Sequence, residues 1–154
     1  MRRDDSSSLE TCVFCRIIAG ELSASIVYED AYTVAFMDQR QPNPGHVLVV
    51  PRRHIEMIYD LDDNTAARLS QTVVKISRSV HSALNPLGLN IWQSNGQDAG
   101  QEVPHVHFHI FPRHKDDGCF RIYPHRPPTP PLSELDAIAD RIRQAIDFSH
   151  VMEG

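Results

Sequence analysis

Residues 103–113 read VPHVHFHIFPR, with His105, His107 and His109 at alternate positions and Val106, Phe108 and Ile110 between and after them. Successive residues of a strand point to opposite faces, so this stretch predicts a β-strand with three imidazoles on one face and an apolar, core-facing row on the other. The apolar row accounts for the strand, but the histidine row needs a reason of its own. One metal ion bound by all three is ruled out by length. The outer Cα atoms of such a strand lie about 13 Å apart, whereas zinc–nitrogen bonds are about 2.0–2.1 Å. What is left is a solvent-facing polar row, or chemistry. A neutral imidazole is a competent nucleophile when its other nitrogen keeps the proton and an acceptor orients it. The central His107 is the natural choice: it has a histidine on each side and follows a loop in which Asn95, Gly96, Gly100 and Gln101 can present amides to an anion. Attack on phosphorus by such a ring divides one displacement into two easier ones.

The rest of the chain predicts an α+β order. VFCRIIAGE reads as a short helix ending at Gly20, SIVYED and AYTVAFMD as a hairpin, and HVLVVP, after the turn QPNPG, as a third strand. Leu69, Val73, Ile76, Val80 and Leu84 then recur at helical spacing. Asp62, Asp63 or Asn64 is available as N-cap, and Pro86 and Gly88 end the run. LNIWQSN and HVHFHIFP complete five strands. After HRPPTPP, a last helix is predicted from Leu135, Ile138, Ile142 and Ile146, with Ser133 and Asp136 resembling a capping box. The expected organisation is a flexible N-terminus over 1–11, one domain over 12–114, and a Pro-rich connector with a C-terminal helix packed on that domain over 115–154. A net charge of −5 argues against a nucleic-acid track, which needs many Lys and Arg contacts, but leaves a small phosphorylated ligand open. No window reaches the roughly 18 apolar residues of a membrane span, so no membrane partner and a cytoplasmic location are expected. Three cysteines without a secretion signal point to metal or free thiols ahead of disulfides.

HVHFHIF fits the pattern His-φ-His-φ-His-φ-φ, with φ apolar, of the histidine triad (HIT) family of nucleotide hydrolases and transferases. FCRIIAGELSASIVYEDAYTVAFMD, PGHVLVVPRRHI and GQEVPHVHFHIFPR resemble family blocks in the same order, over about residues 12–114. The chain is similar to bacterial members of the Hint- and Fhit-like branches. The resemblance implies a five-stranded antiparallel sheet with a long central helix, a homodimer, and attack on the α-phosphate of a purine nucleotide derivative through a nucleotidyl-histidine. The substrate would be a nucleoside phosphoramidate or a dinucleoside polyphosphate, the latter with Mg2+. By position, His107 matches the nucleophile, His109 and His46 the supporting histidines, and Asp38 the carboxylate that accepts from ribose hydroxyls. Asn95 and Gln101 match the phosphate-contacting loop, Gln101 being also the catalytic candidate there. Val13, Phe14, Ile17 and Phe36 resemble base-pocket positions, although core packing asks for the same residue types. Glu102 departs from the small hydroxyl residue of the Hint-like branch: it either points away or donates a proton with a raised pKa. Two other readings stand beside hydrolysis, nucleotidyl transfer and a nucleotide-binding sensor whose turnover is incidental.

Cys12-Val-Phe-Cys15 by itself is a redox pair, one end of a zinc site, or two small residues at a helix start. The resemblance supplies the other two zinc ligands, His54 and His105, for a closed structural site of Cys2His2 type.

Overall fold

The computed structural model describes residues 11–119 and 127–146. The chain divides into two units, one ending at Cys119 and one beginning at Phe120. In the first unit a short helix α1 (Val13–Ile18) precedes strands β1 (Ile26–Glu29), β2 (Thr33–Met37) and β3 (Val47–Pro51). The long helix α2 (Asp63–Leu84) and strands β4 (Gly88–Gln93) and β5 (Phe108–Arg113) follow. The five strands form one sheet in the order β1-β2-β3-β5-β4, with every neighbouring pair antiparallel.

Alternation along the central strands builds two cores. Ala35, Val47, Val49, Val106 and Ile110 pack with Leu69, Val73, Ile76 and Val80 of α2, while Val34, Phe36, Leu48 and Val50 pack with Cys12 and Phe14 around α1. Both faces of β2 and β3 are therefore covered, which is why these strands read as continuous apolar runs. The α2 stripe lies as its spacing predicts, except that Leu84, in the last turn, is exposed. Of the three candidate caps, Asp62 is the one used: its Oδ1 accepts from Thr65 N at 2.9 Å. Asn85, in the left-handed region at φ +45°, ends the helix. In the hairpin turn Asp30 Oδ1 accepts from the backbone N–H groups of Tyr32 and Thr33, both at 2.8 Å.

The expected histidine strand is shorter than its alternation suggests. Pairing with β3 and β4 starts at Phe108, so His105 and His107 precede β5. The Val106 N–H instead donates to Ile55 O at 2.7 Å, which turns the chain out of the sheet while preserving the two-faced pattern. Val106 and Ile110 are fully buried on the α2 side. The histidine row is not a solvent face either, since His105 and His107 are buried as well.

In the second unit the helix α3 (Leu132–Gln144) carries Leu135, Ile138 and Ile142 at helical spacing. The expected capping box is not formed. Pro131 is the N-cap, with no side-chain hydrogen bond, because the helix starts before Ser133. Among the described residues no helix is long and apolar enough to cross a membrane.

The turn before β3 depends on Gly45, whose φ is +103°. A Cβ there would lie 2.2 Å from Leu84 Cδ1 and 3.0 Å from Pro112 Cγ. Leu84 can swing away, but the proline ring and the backbone angle cannot adapt. Gly45→Ala is expected to cost about 1–3 kcal/mol, read as a lower denaturation midpoint. Gly20→Ala, at φ +77° with open space around it, loses less.

Candidate active site and thiol–imidazole cluster

The register of β5 explains how the histidines come together. His109 pairs directly with Leu48 on β3 and with Trp92 on β4, so its ring projects on the α1 side of the sheet between them. Trp92 stacks on His109 with centroids 4.3 Å apart and planes 6° apart. Trp92 was not among the sequence candidates. The available signal was its place two residues before Ser94, at the end of a strand leading into the anion-type loop.

The ring nitrogens are fixed by acceptors that cannot donate. His107 Nδ1 lies 2.7 Å from His105 O, so Nδ1 carries the proton and Nε2 keeps the lone pair. His46 Nδ1 donates to Arg40 O at 3.2 Å, which leaves His46 Nε2 to accept from His109 Nδ1 at 2.9 Å. Two imidazoles therefore present unprotonated Nε2 atoms, those of His107 and His109, with ring centroids 4.9 Å apart. Burial pushes the pKa of His107 and His46 below the usual imidazole range, and that of His109 down to about 3, with His107 and His46 adding to the effect on His109. Asp38 Oδ2 is 3.7 Å from His46 Nδ1, and its Oδ1 accepts from Arg40 N at 2.7 Å.

The loop candidates are held by their own side chains. Gln101 is buried; its Oε1 accepts from Gly96 N at 2.7 Å and its Nε2 donates to Glu56 O at 2.8 Å. Asn95 Oδ1 accepts from Ile58 N at 2.8 Å, and its Nδ2 donates to Gln93 Oε1 at 2.6 Å. Both residues brace the loop shape that precedes the histidines. The four base-pocket candidates separate. Phe14 is buried with its ring edge-on to His107 at 5.2 Å and to Phe36 at 5.4 Å, and Ile17 packs in the same core, whereas Val13 is exposed.

Glu102 is not a proton donor with a raised pKa. The Arg40 guanidinium grips it with Nη1–Oε1 3.2 Å and Nη2–Oε2 2.5 Å, and this pairing holds the carboxyl below its ordinary range.

A second cluster lies behind His107. Cys12 Sγ is 3.5 Å from His105 Nδ1, and Cys15 Sγ is 3.6 Å from the same atom and 3.4 Å from His54 Nδ1. Tetrahedral bonds of about 2.3 Å to sulfur and 2.0–2.1 Å to nitrogen put such pairs about 3.5 Å apart. The donor set fits zinc. His105 Nε2 donates to Pro51 O at 2.9 Å, which turns the unprotonated Nδ1 toward both sulfurs, as an outer-sphere carbonyl does for a metal-bound histidine. Among the described residues the buried His54 Nε2 has no hydrogen-bond partner; a Glu56 carboxylate oxygen stands 3.8 Å away. Cys12, Cys15, His54 and His105 can thus hold one metal ion, with all ligand atoms within 4.8 Å of one another.

The family model described as "HIT domain" matches residues 19–116. The chain belongs to the HIT family. A crystal structure of a HIT family member from Bacillus subtilis superposes with a TM-score of 0.85 at 37% identity, covering 90% of this chain and 99% of that one. The adenosine 5'-monophosphoramidase of Schizosaccharomyces pombe is 32% identical over 137 residues, 88% of this chain and 98% of that protein. A zinc-bound histidine triad protein from Mycobacterium smegmatis superposes with a TM-score of 0.67 at 30% identity, over 90% of this chain and 99% of that one. In this HIT chain, then, the triad stands as one histidine on β5, one just ahead of it, and one shared with the thiol cluster.

Proposed function

We propose that the chain is a nucleotide hydrolase acting on the α-phosphate of a purine nucleoside phosphoramidate or dinucleoside polyphosphate. The observation that carries this reading is the bond from His107 Nδ1–H to His105 O, which leaves a lone pair at Nε2 of a buried, neutral ring. His107 Nε2 attacks phosphorus, the P–N or P–O bond to the leaving group breaks with its electron pair, a departing nitrogen takes up a proton from solvent and leaves as the neutral amine, and a nucleotidyl-histidine forms. Water then makes the new P–O bond, the N–P pair returns to Nε2, the water proton goes to solvent, and nucleoside monophosphate is released.

The other residues orient and shield. His46 and His109 hold each other's tautomers, Trp92 fixes the His109 plane, and Phe14 excludes water from one side of His107. Asp38, an acceptor-only carboxylate when ionised, takes the ribose hydroxyls. Cys12, Cys15, His54 and His105 would hold zinc, whose role is structural: it ties the N-terminal segment to the residue whose carbonyl holds His107. The S. pombe phosphoramidase supports the reaction class.

The test is mass spectrometry of the protein quenched without acid during turnover of adenosine 5'-phosphoramidate and, separately, diadenosine tetraphosphate. The expected result is a nucleotidyl adduct on His107. Steady product release with an adduct on another residue, or with none under single-turnover conditions, overturns the mechanism.

A further inference from the structure

Arg40 belongs to no motif of the sequence, yet the structure places it beside Asp38 and His46. Its backbone is fixed at both ends by these residues, N–H to Asp38 Oδ1 and C=O to His46 Nδ1. Its side chain reaches across 62 residues of sequence to Glu102, next to the buried Gln101 of the loop leading into His107. The ion pair is open to water, with 72% of the Arg40 side chain and 66% of the Glu102 side chain exposed. Pairs of this kind contribute at most about 1 kcal/mol. The guanidinium is consequently anchored in position but cheaply released from its present anion. Its planar fork fits a phosphate as well as it fits a carboxylate.

The chemistry at Glu102 points the same way. Held ionised by Arg40, its carboxylate accepts hydrogen bonds only and has no proton to give a departing amine. A phosphate or polyphosphate needs none: when the P–O bond to it breaks, the electron pair stays on the leaving oxygen, and what that oxygen needs is a cation.

We propose that Arg40 is the specificity-determining residue for the leaving group, exchanging Glu102 for the phosphates of an anionic leaving group. In the resting protein Glu102 keeps the guanidinium extended at the site; in the complex it is displaced into solvent. This inference rests on the hydrolase reading above.

The experiment compares kcat/KM for diadenosine tetraphosphate and adenosine 5'-phosphoramidate in the wild-type chain, Arg40→Gln, Arg40→Lys and Glu102→Gln, with ADP and AMP affinities measured by calorimetry. Arg40→Gln is expected to lower the tetraphosphate-to-phosphoramidate ratio roughly tenfold or more, the size of one charge-assisted hydrogen bond. It also removes the advantage of ADP over AMP. Arg40→Lys recovers part of the ratio, and Glu102→Gln, which frees the guanidinium, raises it. An Arg40→Gln variant that loses activity on both substrates equally, or keeps its preference for ADP, overturns the inference and leaves the hydrolase reading standing. A wild-type chain that binds neither AMP nor ADP and turns over neither substrate overturns both.

Discussion

His107→Asn is expected to lower kcat/KM for nucleotide hydrolysis by roughly 10⁶-fold, the order seen when a nucleophile is removed from a preformed site. The choice of asparagine follows from the geometry. Its side-chain amide keeps an N–H near the place of His107 Nδ1, where it still donates to His105 O, while the Nε2 lone pair is gone. The variant therefore separates the bond that orients the residue from the atom that reacts. Initial rates of nucleoside monophosphate release provide the measurement, and the melting temperature shows that the fold has survived. A rate within tenfold of wild type would make His107 a bystander and shift weight to the sensor reading, in which turnover is incidental.

Cys12→Ala is expected to abolish stoichiometric zinc and to destabilise the first unit by at least about 3 kcal/mol, a modest share of what structural zinc contributes. In a domain of this size that lowers Tm by roughly 10 °C. The expected metal content of the purified wild-type chain is one zinc per chain by elemental analysis, and a strong chelator reproduces the fall in Tm. Cys12 is buried between α1 and the sheet, and its removal leaves a small cavity even without metal. Cys15→Ser supplies the control: it keeps the volume and removes only a ligand. If Cys15→Ser keeps the wild-type Tm, and the wild type carries no metal, the cluster is a packed thiol–imidazole contact and not a zinc site.

Much of the fold was legible because two periods dominate it. The stripe from Leu69 to Val80 and the alternation at Val106, Phe108 and Ile110 each report a surface that must be buried. The zinc-type set was legible only as far as Cys12 and Cys15. Nothing in their spacing reaches to His54 and His105, which the resemblance supplied and the β3–β5 neighbourhood brings close. The misreadings have local causes. The strand is shorter than its alternation because His105 and His107 carry the pattern before pairing begins, where Ile55 is the partner. The capping box failed because a proline with fixed φ starts the helix ahead of Ser133. Trp92 and Arg40 escaped notice because their roles depend on register and on a partner far along the chain. Trp92 leaves only its place at the end of a strand, and Arg40 leaves no trace in its own neighbourhood of sequence.

His105 faces two ways: its ring belongs to the thiol cluster and its main-chain oxygen fixes the proton on His107. That oxygen is present whatever the side chain, so no codon change can delete it. The chain can lose it only by letting residues 103–107 shift, and the ring of His105, bonded to Pro51 O and facing both sulfurs, is what holds them. Point mutants of His105 therefore always alter two things together, ligation and tautomer. Loading the cluster with one ion or another, with every residue left in place, is the way to hear one without the other.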